Sequence, residues 1–342
     1  MDPFALRKLG NSKVLLPQLG FGGAPMGNLF DAISDAESEA TLNAAWAAGV
    51  RFYDTSPFYG RTLSEHRIGQ VLRRQKRDEV ILSTKVGRLF RPPADPQEFA
   101  RRERNWPHGL HFEYHHDYTY EGVMRSYEDS LQRLGMNRID LLIIHDLDFV
   151  SLGSEPLVTA HLANVATGGI NALNDLKARG LIGAIGAGVN GLGTIPRFLD
   201  LMNLDFFLVA SPYTLAEQPA LDEEFPLCEK RGVGIVIGQV FASGILATGP
   251  VPGARYNYRE PTAEQAERVR RIEAVCKKHD VPLAAAALQF PLHHPLVASV
   301  IPGAFRPDHV TRNIGHLRHE IPDALWAELK HQKLIHADAP TP

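Results

Sequence analysis

The stretch Val50-Arg51-Phe52-Tyr53-Asp54-Thr55-Ser56-Pro57-Phe58-Tyr59-Gly60 opens as a short apolar strand over residues 50–53 and breaks at a carboxylate. Pro57 stops a helix from starting at once, and Tyr59 falls on the loop that follows. Parallel α/β proteins keep their chemistry on loops at the C-terminal ends of strands, so an acid at a strand tip with a tyrosine just beyond it predicts a catalytic edge. Taken alone, Asp54 reads more readily as a residue that caps a loop than as a catalyst.

Outward from this strand the pattern repeats. Upstream, residues 6–9 and 14–16 read as a hairpin and residues 19–23 as a first buried strand. Ser34-Asp35-Ala36-Glu37 spells a capping box for an Ala-rich helix that stops at Gly49. Downstream, Ser64 is the expected N-cap of a second helix, and a third strand over residues 80–85 ends at Lys85. Residues 86–117, rich in Arg, Pro and His around Trp106, read as a long irregular loop, the kind that is usually functional or disordered. Further strands are expected at residues 139–144, 182–187, 206–209, 233–237 and 297–301, with helical patterns between them. About eight strand-then-helix units result, the periodicity of an α/β, (β/α)8 TIM barrel.

With 342 residues, 44% hydrophobic and 22% charged, the chain can bury a sizeable core. We read residues 1–342 as a single domain, since no long low-complexity linker divides them. Net charge is −3 and the basic residues are scattered, so neither nucleic acid nor a membrane is an expected partner, and no obligate protein partner is evident. Cys228 and Cys276 are too few for a disulfide framework, and the N-terminus has no apolar run of signal-peptide length, so a cytoplasmic location is expected.

Interconverting a carbonyl and an alcohol needs a hydride carrier and a group that moves one proton on the oxygen. A tyrosine serves only if its pKa of about 10 comes down. A lysine ammonium ~4 Å away at an effective dielectric of ~20 favours the phenolate by ~4 kcal/mol, or roughly three pKa units. An aspartate beside that lysine keeps it charged. Tyr59, Lys85 and Asp54 supply these parts, and His145, at the tip of the next strand, can orient the substrate oxygen.

Phe52-Tyr53-Asp54-Thr55-Ser56 with Tyr59-Gly60, then Ser83-Thr84-Lys85, then the run from Asp140 to His145, resemble in that order the signature of the aldo-keto reductases. Ile301-Pro302-Gly303 and Asn313 extend the likeness over nearly the whole chain. The resemblance implies a catalytic tetrad of Asp54, Tyr59, Lys85 and His145. It also implies a barrel with an N-terminal β-hairpin and long loops at the C-terminal mouth, binding a nicotinamide dinucleotide without a Rossmann unit. Gly183 to Gly188 has its glycines in the wrong order for a Rossmann fingerprint and reads as a small-residue fifth strand.

By the same resemblance Asn190 would hold the nicotinamide carboxamide, and Ile301, Gly303, Arg306 and Asn313 would line the rest of the cofactor. Ala210 and Gly238 stand where the family places a Gln and an aromatic, so Tyr213, Gln239 or Phe241 are expected to substitute. Gly303, Ala304 and His309 replace the Lys, Ser and Arg that many NADPH-using members carry. Most donors for a 2′-phosphate are thereby lost, and NAD is favoured over NADP.

Ser83 to Arg88, Arg125 to Leu131, His145 to Asp148 and Gly186 to Asn190 look most like the D-threo-aldose 1-dehydrogenase or L-fucose dehydrogenase subgroup, with its pyridoxal 4-dehydrogenase and L-galactose dehydrogenase relatives. That likeness implies oxidation of the anomeric hydroxyl of an aldose such as L-fucose, D-arabinose or L-galactose to a lactone. Phe58, Trp106, Asp146 and Asp148 are the candidate substrate contacts, the two acids being equally readable as loop caps. The rivals on the same tetrad are pyridoxal oxidation and NADPH-dependent aldehyde reduction. From other classes come a non-catalytic dinucleotide-sensing subunit and a metal-dependent hydrolase. His111, Glu113, His115, His116 and Asp117 lack the spacing of a helical histidine pair or a cysteine-bearing zinc site, and read as a polar substrate loop rather than a metal centre. His293-His294 reads as structural.

Overall fold

The structure is a computed structural model and describes residues 1–103 and 106–342. Its centre is a parallel sheet of eight strands: β3 (Phe21–Gly22), β4 (Phe52–Asp54), β5 (Ile81–Val86), β8 (Leu141–Ile144), β9 (Ala184–Val189), β10 (Phe206–Val209), β11 (Gly234–Ile237) and β12 (Val297–Val300). They neighbour one another in chain order, and the two edges meet. The Gly20 N–H donates to Val300 O at 2.9 Å and the Gly22 N–H to Pro302 O at 3.0 Å, closing the sheet into a barrel. Strands such as Leu141–Ile144 are buried on both faces, so they read as continuous apolar runs without alternation.

One face of each strand points into the barrel. Phe52, Leu141, Ile143, Phe206, Leu208, Val236 and Ala298 fill it. Gly186 gives Phe206 its space, since a Cβ there would lie 2.5 Å from the Phe206 ring. The hairpin of β1 (Leu6–Lys8) and β2 (Leu15–Pro17) lies at one end of the barrel, its Leu9 and Leu16 packed into the same interior cluster. Arg7 Nη1 fastens the hairpin, donating to Leu292 O at 2.7 Å and Val297 O at 3.0 Å. The outward faces join Tyr53, Leu142, Ile144 and Phe207 to the apolar faces of the helices in a larger core. No helix among the described residues is long and apolar enough to cross a membrane.

Two expectations change. The described part of residues 86–117 is not irregular throughout. It holds an antiparallel ribbon, β6 (Arg88–Arg91) with β7 (Glu113–His116), and the helix Pro96–Arg102, capped by Asp95, lies in the connection. Phe90 faces Tyr114, with ring centroids 5.7 Å apart, and Arg91 pairs with Glu113 at 2.9 Å. Polar side chains on both strands hid the alternation that would have marked them. Nor does Ser64 cap its helix, Leu63–Leu72. Thr62 holds the N-cap position, and Ser64 is buried, its Oγ 2.7 Å from Gly23 O and 2.8 Å from Thr55 Oγ1.

Candidate active site

Asp54 is the last residue of β4, and the parallel register sets it opposite Ser83 on β5. Ser83 Oγ donates to Asp54 Oδ1 at 2.6 Å. Two residues further along β5, on the same face, Lys85 donates to Asp54 Oδ2 at 2.8 Å and to Thr55 O at 2.7 Å. The Lys85 ammonium also lies 4.5 Å from the centroid of the Tyr59 ring. Tyr59 is carried by the tight turn after β4, its N–H donating to Ser56 O at 3.1 Å.

β8 runs beside β5 and delivers His145 one residue past its end, where the backbone N–H donates to Val86 O at 3.0 Å. The imidazole stands edge-on to Tyr59, with ring centroids 5.9 Å apart. Its Nδ1 is 3.0 Å from Ser56 Oγ and its Nε2 3.0 Å from Asp146 Oδ2. The fold therefore brings Asp54, Tyr59, Lys85 and His145 together from three neighbouring strands.

The electrostatics depart from the expectation of a tyrosine tuned towards neutrality. Burial raises the Tyr59 hydroxyl well above its ordinary range, and the Asp54 and Asp146 carboxylates push it further, against a smaller opposing pull from Arg88. Asp54 spends the field of Lys85, so the resting phenol keeps its proton. Burial pushes His145 down to about 3, which leaves a neutral imidazole whose one N–H, at Nε2, meets Asp146 Oδ2. Asp146 is raised by burial but lowered more by His145, Arg88 and Lys85, and stays a carboxylate.

Around this centre stands an aromatic wall. The Phe58 ring touches Trp106 at 5.8 Å, Tyr114 at 5.5 Å and His145 at 5.9 Å, and Tyr59 meets Trp106 at 5.8 Å. Trp106 Nε1 is buried without a hydrogen-bond partner among the described residues. Sequence reasoning missed Tyr114, Tyr118 and Tyr258. The Tyr118 hydroxyl donates to His145 O at 2.9 Å. Tyr258, in a left-handed turn with φ of 67°, is anchored by its N–H on Ser243 Oγ and turns its hydroxyl to Gln239, within electrostatic range of Tyr59.

The candidate cofactor residues divide. Gln239, just past β11, has both side-chain amide atoms buried without a well-formed hydrogen bond, a state that suits an incoming polar group such as a carboxamide. Phe241 is half-buried and opens the turn that carries Ser243. Asn190 follows β9 and points its Nδ2 to Asp148 Oδ2 at 3.3 Å. Gly303 is exposed where the barrel closes, bridged to Gly22, and Asn313 is buried on the helix Pro307–Arg318. Arg306 is exposed at the start of that helix, 5.1 Å from the Phe305 ring.

Three residues belong elsewhere. Tyr213 is fully buried among Phe225, Phe290 and His294, because the chain turns outwards after β10; it packs helices and faces no cofactor. Ile301 packs with Phe52 in the barrel interior. Asp148 is buried, one oxygen accepting the Ser151 N–H as the N-cap of Phe149–Leu152 and the other accepting from Asn190. Asp148 acts as a cap, its two oxygens taken by the Ser151 and Asn190 N–H groups. Among the described residues no three His, Cys, Asp or Glu side chains are grouped to hold a metal ion.

Residues 18–333 match the aldo/keto reductase family. The chain is 42% identical to a D-threo-aldose 1-dehydrogenase of a Pseudomonas species, with 96% of each chain covered. It is 39% identical to a pyridoxal 4-dehydrogenase of Microbacterium luteolum, covering 96% of this chain and 97% of that one. Among solved structures, the holo form of an aldo-keto reductase from Bacillus halodurans superposes with a TM-score of 0.72 at 25% identity, over 98% of both chains. The barrel is therefore that of a family that uses NAD(P)H, and the chain belongs to the aldo/keto reductases as an oxidoreductase acting on CH–OH donors.

Proposed function

We propose that this protein oxidises the anomeric hydroxyl of an aldose, such as L-fucose, D-arabinose or L-galactose, to the lactone, with NAD as acceptor. The observation that carries the chemistry is the buried Asp54–Lys85 pair under the Tyr59 ring, with the neutral His145 edge-on to it. Bound nicotinamide would supply hydride acceptance. Tyr59 then takes the hydroxyl proton as hydride leaves the carbon, Lys85 stabilises the phenolate, and the Tyr59–His145 corner fixes the sugar oxygen. Asn190, Gln239, Ser243 and Asn313 are the residues we assign to holding the dinucleotide.

The aldose assignment draws on the similarity to the Pseudomonas enzyme and on the polar lining of the aromatic wall. NAD rather than NADP is favoured because Gly303, Ala304 and His309 offer no cationic cluster for a 2′-phosphate. Of the guanidiniums near His309, Arg306 lies within electrostatic range of Glu37 and Arg312 is paired with Asp308. The similarity to the Microbacterium enzyme supports a second reading, pyridoxal as substrate through the same four residues.

The deciding experiment follows NADH absorbance with NAD or NADP against L-fucose, D-arabinose, L-galactose, pyridoxal and a simple alcohol. NADH formed with the aldoses supports the first reading. Activity confined to pyridoxal replaces it with the second.

A further inference from the structure

In the chemistry above Arg88 acts only through its charge on Tyr59 and Asp146. It opens β6, is 5% exposed, and lays its guanidinium carbon 4.4 Å from the Phe58 centroid and 5.6 Å from that of Tyr114. Its Nη2 stands 3.7 Å from Asp146 Oδ2, an ion pair too long to be a hydrogen bond. Its Nε and Nη1 are buried with no hydrogen-bond partner among the described residues. A guanidinium never loses its charge in a protein, so buried N–H groups left unanswered are costly unless something arrives to accept from them.

Asp146 meets it from the other side. Its backbone is left-handed, φ 39°, a conformation uncommon for residues other than glycine, and its Oδ2 lies between His145 Nε2 and Arg88. Across from it on β9 stands Gly188, where even an added Cβ would remain 3.5 Å from Asp146 Oδ1, so the strand leaves that oxygen uncovered. A strong donor and a strong acceptor thus stand side by side, next to the histidine that faces Tyr59. A hydroxyl answers both through a single oxygen, accepting from the donor and donating to the acceptor.

We propose that Arg88 and Asp146 form a donor–acceptor pair for the C2 hydroxyl of the aldose, the hydroxyl next to the reacting carbon. An Arg88 N–H donates to the hydroxyl oxygen, and the hydroxyl donates a hydrogen bond to the Asp146 carboxylate. This rests on the aldose reading above and adds to it a means of specificity. A substrate without that hydroxyl leaves the buried Arg88 N–H groups without an acceptor, the situation in which binding sites reject analogues most strongly. Stacking on Phe58 holds the guanidinium plane still for the task.

The test compares kcat/KM for L-fucose and 2-deoxy-L-fucose in the wild type and in Arg88→Met, with NAD binding measured alongside. The expected result is a preference of about 10- to 100-fold for L-fucose in the wild type, as befits a hydrogen bond to a charged group. In Arg88→Met that preference should fall at least tenfold while NAD affinity stays unchanged. If Arg88→Met does not fold, Arg88→Lys replaces it; it keeps the charge, loses the planar fork, and should also lose most of the preference. A wild type indifferent to the hydroxyl, or a preference that survives in the variants, overturns the proposal while leaving L-fucose oxidation intact. Absence of NADH from every aldose would overturn the aldose reading and this proposal together, and so is distinguishable from failure of the pair alone.

Discussion

Lys85 Nζ lies 2.8 Å from Asp54 Oδ2, and both side chains are almost wholly buried. Breaking such a pair from one side strands a charge. Asp54→Asn should therefore destabilise the fold by about 3–5 kcal/mol, and adding Lys85→Met should recover much of that loss. Urea denaturation of the three proteins decides it. A single variant as stable as the wild type would show that Thr55 O alone suffices for Lys85.

Tyr59 is kept protonated by burial and by the Asp54 and Asp146 carboxylates. Oxidation needs the phenolate and reduction the phenol. The rate of alcohol oxidation should accordingly climb with pH through the alkaline range, while carbonyl reduction stays level and then declines. His145, pushed down to about 3, should leave no inflection near pH 6.5 in either profile. Steady-state kcat/KM against pH in both directions checks this, and an inflection near pH 6.5 that vanishes in His145→Asn would contradict it.

His294 is buried among Tyr213 and Phe225 and its pKa is lowered by that burial to about 4. The unfolded chain takes up this proton near pH 6.5, and the folded chain only near pH 4. The stability contributed by the neutral ring is therefore complete above pH 6.5 and is lost as pH falls towards 4. His294→Asn should remove about 1–2 kcal/mol of the difference in unfolding free energy between pH 7 and pH 5. Urea titrations at the two pH values read it directly.

Asp148 joins the start of the helix Phe149–Leu152 to Asn190 across two barrel loops. Asp148→Ala should cost about 1–2 kcal/mol of stability for the lost cap. It should also raise the KM for NAD through Asn190 while leaving the discrimination between aldoses unchanged. An effect on sugar specificity without one on NAD would return Asp148 to the substrate side.

The barrel was legible because its strands are short runs buried on both faces, and three of the four residues we propose for the chemistry lie at or beside strand ends. Asp54, Lys85 and His145 announce themselves as polar residues at the ends of apolar runs. What lay beyond the strand tips was harder. Tyr213 follows β10 as Gln239 follows β11, yet one turns outwards into the helical layer and the other into the mouth, and no local pattern separates the two. The ribbon that carries Arg88 and Tyr114 escaped notice because its polar side chains break the alternation. The lowered tyrosine pKa was expected from Lys85 alone; the second carboxylate, Asp146, enters only through the left-handed turn after β8.

The most direct measurement is turnover of L-fucose and NAD by Tyr59→Phe, with NADH binding titrated on the same preparation. The ring, its contact with Lys85 and its packing on Trp106 remain, and only the proton acceptor is removed. Turnover should drop by at least about 10²-fold with dinucleotide affinity unchanged. Turnover close to that of the wild type would contradict the account, since some other group would then be moving the proton.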